Sequence, residues 1–154
     1  MKRWIWILCG ILVFQLLGET GTQVENLKPV QLLYGSREAD KIILKTDTGD
    51  IGSGESLQEA LANMQKTASG RIFLETADLL LLSESSADLL PELRTVLRPA
   101  VRVCIANQEP DLKEAAEYLS YHEPETILGQ LRSRKYPLPE LILREGGMEL
   151  ERSQ

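Results

Sequence analysis

The sequence predicts an α/β fold, a mixed β-sheet with helices packed on it in a single small domain. Three observations carry that expectation. Short apolar or β-branched runs alternate with stretches whose apolar residues recur every three to four positions, the pattern of strands interleaved with amphipathic helices. The 154 residues are 43% apolar and 26% charged, an ordinary globular composition that excludes collagen-like, disordered and disulfide-scaffold chains. A chain of this length buries roughly two-thirds of its unfolded surface in one core, and neither an internal repeat nor a low-complexity segment divides it.

Residues 1–18 differ from the rest. Lys2 and Arg3 precede the uncharged apolar run Trp4 to Leu17, and polar Glu19-Thr20-Gly21 follows Gly18, the layout of a secretory signal. Fourteen residues fall short of the roughly 20 that a helix needs to span the hydrocarbon core, which favours a cleavable signal. Leu16 and Gly18 make a poor small-x-small cleavage site, so a signal-anchor holding the chain on the membrane through residues 4–17 is the alternative. Leu8 before Cys9 speaks against lipidation there. The expected divisions are the signal or anchor at 1–18, the domain at 19–136 and a C-terminal tail at 137–154.

Within the domain, Val24 to Pro29 reads as a lead-in and Val30 to Tyr34 as a strand stopped by Gly35-Ser36. Lys41 to Thr46 is a second strand, ended by the turn Asp47-Thr48-Gly49-Asp50, and the two form a hairpin. Gly52-Ser53-Gly54 reads as a flexible turn. It delivers the chain to Ser56, whose spacing to Glu59 is that of a capping box, and Leu57, Ala60, Leu61, Met64 and Ala68 then predict a helix over 56–68. Ser69-Gly70 stops that helix. Residues 71–75 form a short strand, and Leu79-Leu80-Leu81-Leu82 forms one covered on both faces. A second capping box, Ser85 and Asp88, opens a helix with Leu89, Leu90, Leu93, Val96 and Leu97 inward, closed by Pro99. Val101 to Ala106 is a strand. Pro110 sits near the first turn of a third helix, and Pro124 opens a fourth with Ile127, Leu128 and Leu131 inward. The tail carries one apolar patch, Leu141-Ile142-Leu143.

The residues give little support to enzymatic chemistry. His122, the sole histidine, follows Tyr118 and Tyr121 at a helix end, where an imidazole caps carbonyls. With no second histidine and Cys104 in an apolar strand, the usual zinc ligands are missing. Ser53 lacks the glycines two residues to either side that a nucleophile elbow needs, and no Gly-Lys-Ser/Thr or third glycine makes its loop a phosphate cradle. Asp47 and Asp50 lack EF-hand spacing and read as a polar turn. Glu114, Glu117, Glu123 and Glu125 read as solvated surface. Paired carboxylates for glycoside hydrolysis want an aromatic-lined cleft, and Phe73, Tyr34, Tyr118, Tyr121 and Tyr136 are too few to build one. No catalytic, cofactor-binding or metal-binding residue is assigned, and no cofactor is expected. Residues 19–154 keep 15 of the 17 basic residues and all 23 acidic ones, a net −8 against −6 for the whole chain, which argues against a nucleic-acid partner.

One resemblance reaches further. Gly52-Ser53-Gly54-Glu55-Ser56-Leu57-Gln58-Glu59-Ala60-Leu61, then Gly70-Arg71-Ile72-Phe73-Leu74, then Ala77-Asp78-Leu79-Leu80-Leu81-Leu82-Ser83-Glu84, resembles the N-terminal domain of the Ger(x)C spore germination proteins, the C subunits of germinant receptors. Leu93 to Ala106 and Asp111 to Leu119 are similar to the helix, strand and helix that follow in that family. The resemblance spans residues 30–133 and implies a stand-alone relative of the first domain without the family's C-terminal region. It implies a non-enzymatic module, exported or membrane-tethered, that assembles with membrane receptor subunits or other envelope proteins during sporulation or germination. An exported small-molecule or cell-wall-associated binding domain unrelated to spores is the other reading the residues leave open. N-terminal sequencing of the secreted protein is expected to start near Glu19; an intact Met1 in the membrane fraction would establish the anchor instead.

Overall fold

A computed structural model describes residues 27–131 and 138–152. The signal or anchor expected over 1–18 lies outside the described residues.

The organising run is Leu79–Ser83, strand β6. Four successive leucines have no polar position to turn toward water, so both faces of this strand must be dry. The structure places it at the centre of a seven-stranded sheet ordered β4-β3-β2-β6-β7-β8-β9, where β2 is Leu32–Glu38, β3 Lys41–Thr46, β4 Ile51–Gly54, β7 Arg102–Ala106, β8 Glu140–Arg144 and β9 Gly147–Glu151. Strands β2, β6, β7 and β8 are mutually parallel; β3 and β4 on one flank and β9 on the other run antiparallel to their neighbours. A separate pair joins β1 (Leu27–Pro29) in parallel to β5 (Arg71–Phe73).

Alternate residues build two apolar layers. Leu33, Leu44, Leu80, Leu82 and Val103 point to one face, where they meet Leu57, Ala60 and Met64 of helix α1 (Leu57–Thr67) and Leu90 and Leu93 of the single-turn helix α2 (Leu90–Leu93). Leu32, Tyr34, Leu79, Leu81 and Cys104 point to the other, against Ala115, Ala116 and Leu119 of helix α3 (Leu112–Tyr121). The mixed α/β sheet with helices packed on it, in one small domain, is therefore the observed fold.

The first hairpin forms as expected, with Leu33 opposite Thr46 and Glu38 opposite Lys41, but β2 runs on through Gly35 and Ser36. Gly35 does not stop the strand. A Cβ there would lie 2.8 Å from Leu82 Cδ2, so glycine is what lets the leucine of the neighbouring strand pack over it. Ser56 caps α1 by accepting from the Glu59 amide (3.2 Å), and Glu59 Oε2 in turn accepts from the amide of Glu55 (2.9 Å).

Four further expectations are corrected. Gly52-Ser53-Gly54 is not a turn but edge strand β4, because glycines there let α1 approach: a Cβ on Gly52 would fall 2.1 Å from the Ala60 carbonyl oxygen and one on Gly54 2.7 Å from the Ala60 nitrogen. The helix expected to start at Ser85 is a 3-10 turn over Glu84–Leu89 followed by α2; the side chains of Ser85 and Asp88 bond Ser83 and Arg37 instead of capping, and Pro91 brings no amide. After Pro124 there is no fourth helix but a 3-10 turn, Leu128–Gln130. The amides of Leu128 and Gly129 are taken by the carbonyls of Val101 and Pro99, and Ile127 bridges to Arg102. Finally, the domain does not end at residue 136: the described part of the expected tail supplies β8 and β9, with Leu141 fully buried beside Ala106.

Gly52→Ala is expected to cost about 1–3 kcal/mol of stability, the scale of an overpacked core, because the added methyl meets helix backbone and not a mobile side chain. Urea denaturation followed by circular dichroism measures it.

Candidate functional site

Three depressions of the described surface lie together at the edge where the parallel strands begin. Three hollows of about 340–350 Å³ each share Gln31, which sits just ahead of β2. Asp47 from the β3–β4 turn and Asp78 ahead of β6 border it on one side, and Ser120 and Tyr121 at the end of α3 on the other. The charges here are mostly spent inside the protein. Asp47 Oδ1 accepts from the amides of Gln31 and Leu32 (3.1 Å each), Arg98 binds Asp78 (2.8 Å), and Arg102 binds Glu123 (2.6 Å) and the Pro124 carbonyl (2.9 Å). Such a groove offers hydrogen bonds and a rim aromatic, with no nucleophile beside a base.

Asp50, read from the sequence as part of a polar turn, is buried within that turn and joins β1 to it. Lys28 donates to its Oδ1 (2.8 Å), and Thr48 and Thr46 donate to Oδ2 (2.7 and 3.4 Å). Burial pushes this carboxyl up, but the bonds from Lys28 and the two threonines and the lysine charge together outweigh it and hold the carboxyl below its ordinary value.

The remaining residues singled out in the sequence are dispersed. His122 ends α3: its Nδ1 lies 3.1 Å from the Tyr118 carbonyl, and its ring stacks on Tyr118 with centroids 4.3 Å apart. Cys104 is buried in β7, and desolvation pushes its thiol up to about 12, which leaves no thiolate at neutral pH. Ser53 faces solvent on β4 opposite Ile43 with no base beside it. Glu114 and Glu117 stand on the outer side of α3, while Glu123 and Glu125 pair with Arg102 and Arg152. Among the described residues, no group of three or more His, Cys, Asp or Glu side chains converges as metal ligands, and no helix is long and apolar enough to cross a membrane.

The sequence reading missed a surface. On the face that carries α3, the apolar layer under the helix runs from β2 through β6 and β7 to β8, with Met148 and Leu150 of β9 packed against it, and none of it comes from β3 or β4. The outward residues of that flank are Ile43 and Lys45 from β3 and Ile51 and Ser53 from β4, with Ile51 54% exposed on an otherwise core-like β-branched side chain. Lys45 leans across it to Glu109 (2.6 Å), just ahead of α3. Tyr121, 79% exposed, marks the far end of α3 beside the same flank. Only the reassignment of 51–54 from turn to strand makes this patch visible, since Ile51 then shares a face with Ile43.

Because its folded carboxyl titrates below the unfolded one, Asp50 stabilises the fold at pH above the unfolded carboxylate value near 4 and loses that contribution as the pH falls through its lowered value. Asp50→Asn is expected to cost about 1–3 kcal/mol at pH 7, and the difference from the parent is expected to shrink in the most acidic part of a denaturation series. Comparison with known protein families, characterised proteins and solved structures finds no match to this chain.

Proposed function

We propose that this chain is a non-enzymatic interaction module, exported or held on the membrane through residues 4–17, that assembles with a membrane receptor subunit in the manner its resemblance to the Ger(x)C first domain implies. The observation that carries the reading is the β3–β4 flank of the sheet, left uncovered on the face that carries α3. The parallel strands at the centre of the sheet are covered on both sides, whereas the antiparallel flank leaves Ile51 exposed with Ile43 and the stem of Lys45 on the same face, a small apolar patch of the kind another surface can cover. Ile51, Ile43 and the stem of Lys45 offer the apolar centre, with Ser53 and the Lys45–Glu109 pair as a polar rim and Tyr121 as an aromatic anchor at one end.

The stretches that support the resemblance are also joined in space. Gly52-Ser53-Gly54 forms the strand on which α1 rests, and Ala60 of that helix shares an apolar layer with Leu80 and Leu82 of the central strand. They constitute one packing unit. On this reading the partner lies outside the cytoplasm and covers β3 and β4.

Deleting the gene in its source organism is expected to leave the yield of heat-resistant spores unchanged while slowing their response to a germinant at least tenfold. Restoring the chain with Ile51→Glu is expected to leave that defect in place although the variant is made at normal level. Spores that germinate at the parental rate without the chain would overturn the proposal, as would synthesis confined to growing, non-sporulating cells.

A further inference from the structure

We propose that Asn63, Thr67 and Tyr118 close both edges of the seven-stranded sheet, and that without them a second copy of this chain adds to β4 strand against strand. An edge strand presents unpaired backbone groups that template pairing with another chain. The register determines which groups these are on β4. The Thr46 amide bonds the Asp50 carbonyl (3.0 Å) at the base of the hairpin, and bonded pairs then alternate, so Leu44 and Gly52 exchange bonds while Ile51 and Ser53 turn outward. Side chains of α1 reach both outward carbonyls: Asn63 Nδ2 donates to that of Ser53 (2.8 Å), and Thr67 Oγ1 lies 3.2 Å from that of Ile51, its single proton shared with the Met64 and Asn63 carbonyls of its own helix (3.1 and 3.3 Å). Gly52 and Gly54 let the helix lie close enough along the strand for two short side chains to reach.

At the opposite edge the logic repeats with other residues. Arg144 faces Gly147 across the two-residue turn Glu145-Gly146, so the Leu150 amide points away from β8. It donates to the Tyr118 hydroxyl (3.2 Å), and the stacked His122 ring holds that tyrosine in place. Side chains from two helices on opposite faces of the sheet thus reach its two edges.

The mode of self-pairing follows from the geometry. A β4 strand meeting its own copy is related by a two-fold axis and runs antiparallel to it. That joins two sheets into one, and the apolar side chains of Ile51 from both copies meet on the uncovered face.

The test compares the purified full chain with Asn63→Ala/Thr67→Ala by sedimentation and by amide hydrogen exchange. The double variant is expected to dimerise at least tenfold more tightly than the parent, and the Ile51 and Ser53 amides are expected to become more protected as the concentration rises. Thr67→Ser with Asn63 intact keeps both donors and is expected to sediment as the parent does. If the double variant fails to fold, Asn63→Asp, which keeps the side-chain size and removes the amide donor, takes its place. Tyr118→Phe, which removes only the hydroxyl, is expected to raise exchange at Leu150 by at least tenfold. Unchanged association in a folded Asn63→Ala/Thr67→Ala or Asn63→Asp chain would overturn the proposal, and so would dimers whose β4 amides exchange as fast as those of the monomer.

Discussion

Leu79 to Leu82 must be dry on both sides, and most of the architecture answers that demand. A strand with no polar face needs neighbours on both edges and cover above and below it. Strands β2 and β7 flank it in parallel, which in turn requires the chain to travel from one end of the sheet to the other between strands. Helix α1 and the Glu84–Leu93 segment lie on one face and α3 on the other, so the crossings also supply the cover. Burying each leucine contributes roughly 2 kcal/mol, which makes this strand the anchor of both apolar layers.

Much of this was legible because the chain's local preferences agree with its packing. The β-branched run Lys41 to Thr46, the Ser56 cap and the α3 spacing of Ala115, Ala116 and Leu119 each point to a single structure, and that structure forms. The errors have a common physical origin: glycines, serines and prolines were read as local punctuation where tertiary contact decides. Gly35 and Gly52 belong to strands because a leucine and a helix backbone need their empty Cβ positions. Ser85 and Asp88 have the spacing of a cap, but Asp88 finds Arg37, 51 residues away, and Pro91 favours a fresh helical start over continuation. The hairpin in the tail did leave a signal, Leu141 to Leu143 followed by Glu145-Gly146-Gly147, which gains its meaning once β7 offers an open edge. No sequence rule would have marked the uncovered flank, because it is defined by where α3 is not.

The two faces of the sheet have different chemistry as a result. One is sealed by α1, α2 and the turns around them, and its residues serve stability. The other is sealed except over β3 and β4, where Ile51 meets solvent beside a polar groove centred on Gln31. Hydrogen-bonding groups in that groove are largely committed to the backbone and to neighbouring ions. Recognition of another surface asks for shape and apolar area more than for reactive groups, which is what this side of the molecule provides.

The Lys28–Asp50 pair also determines how the domain bears a load. A pull on the chain ahead of Leu27 is applied first to β1, whose bonds to β5 run across the direction of pull and are therefore loaded in shear. The Lys28 ammonium clamped on Asp50 adds a side-chain grip at the same point, and the Gln31 and Leu32 amides held by Asp47 add another just before the chain enters the sheet. These attachments take the load before the rest of β2 does, and β2 itself lies between two partners. The entry of the chain is thus built as a mechanical stop, with the β3–β4 turn as the cleat to which it is tied.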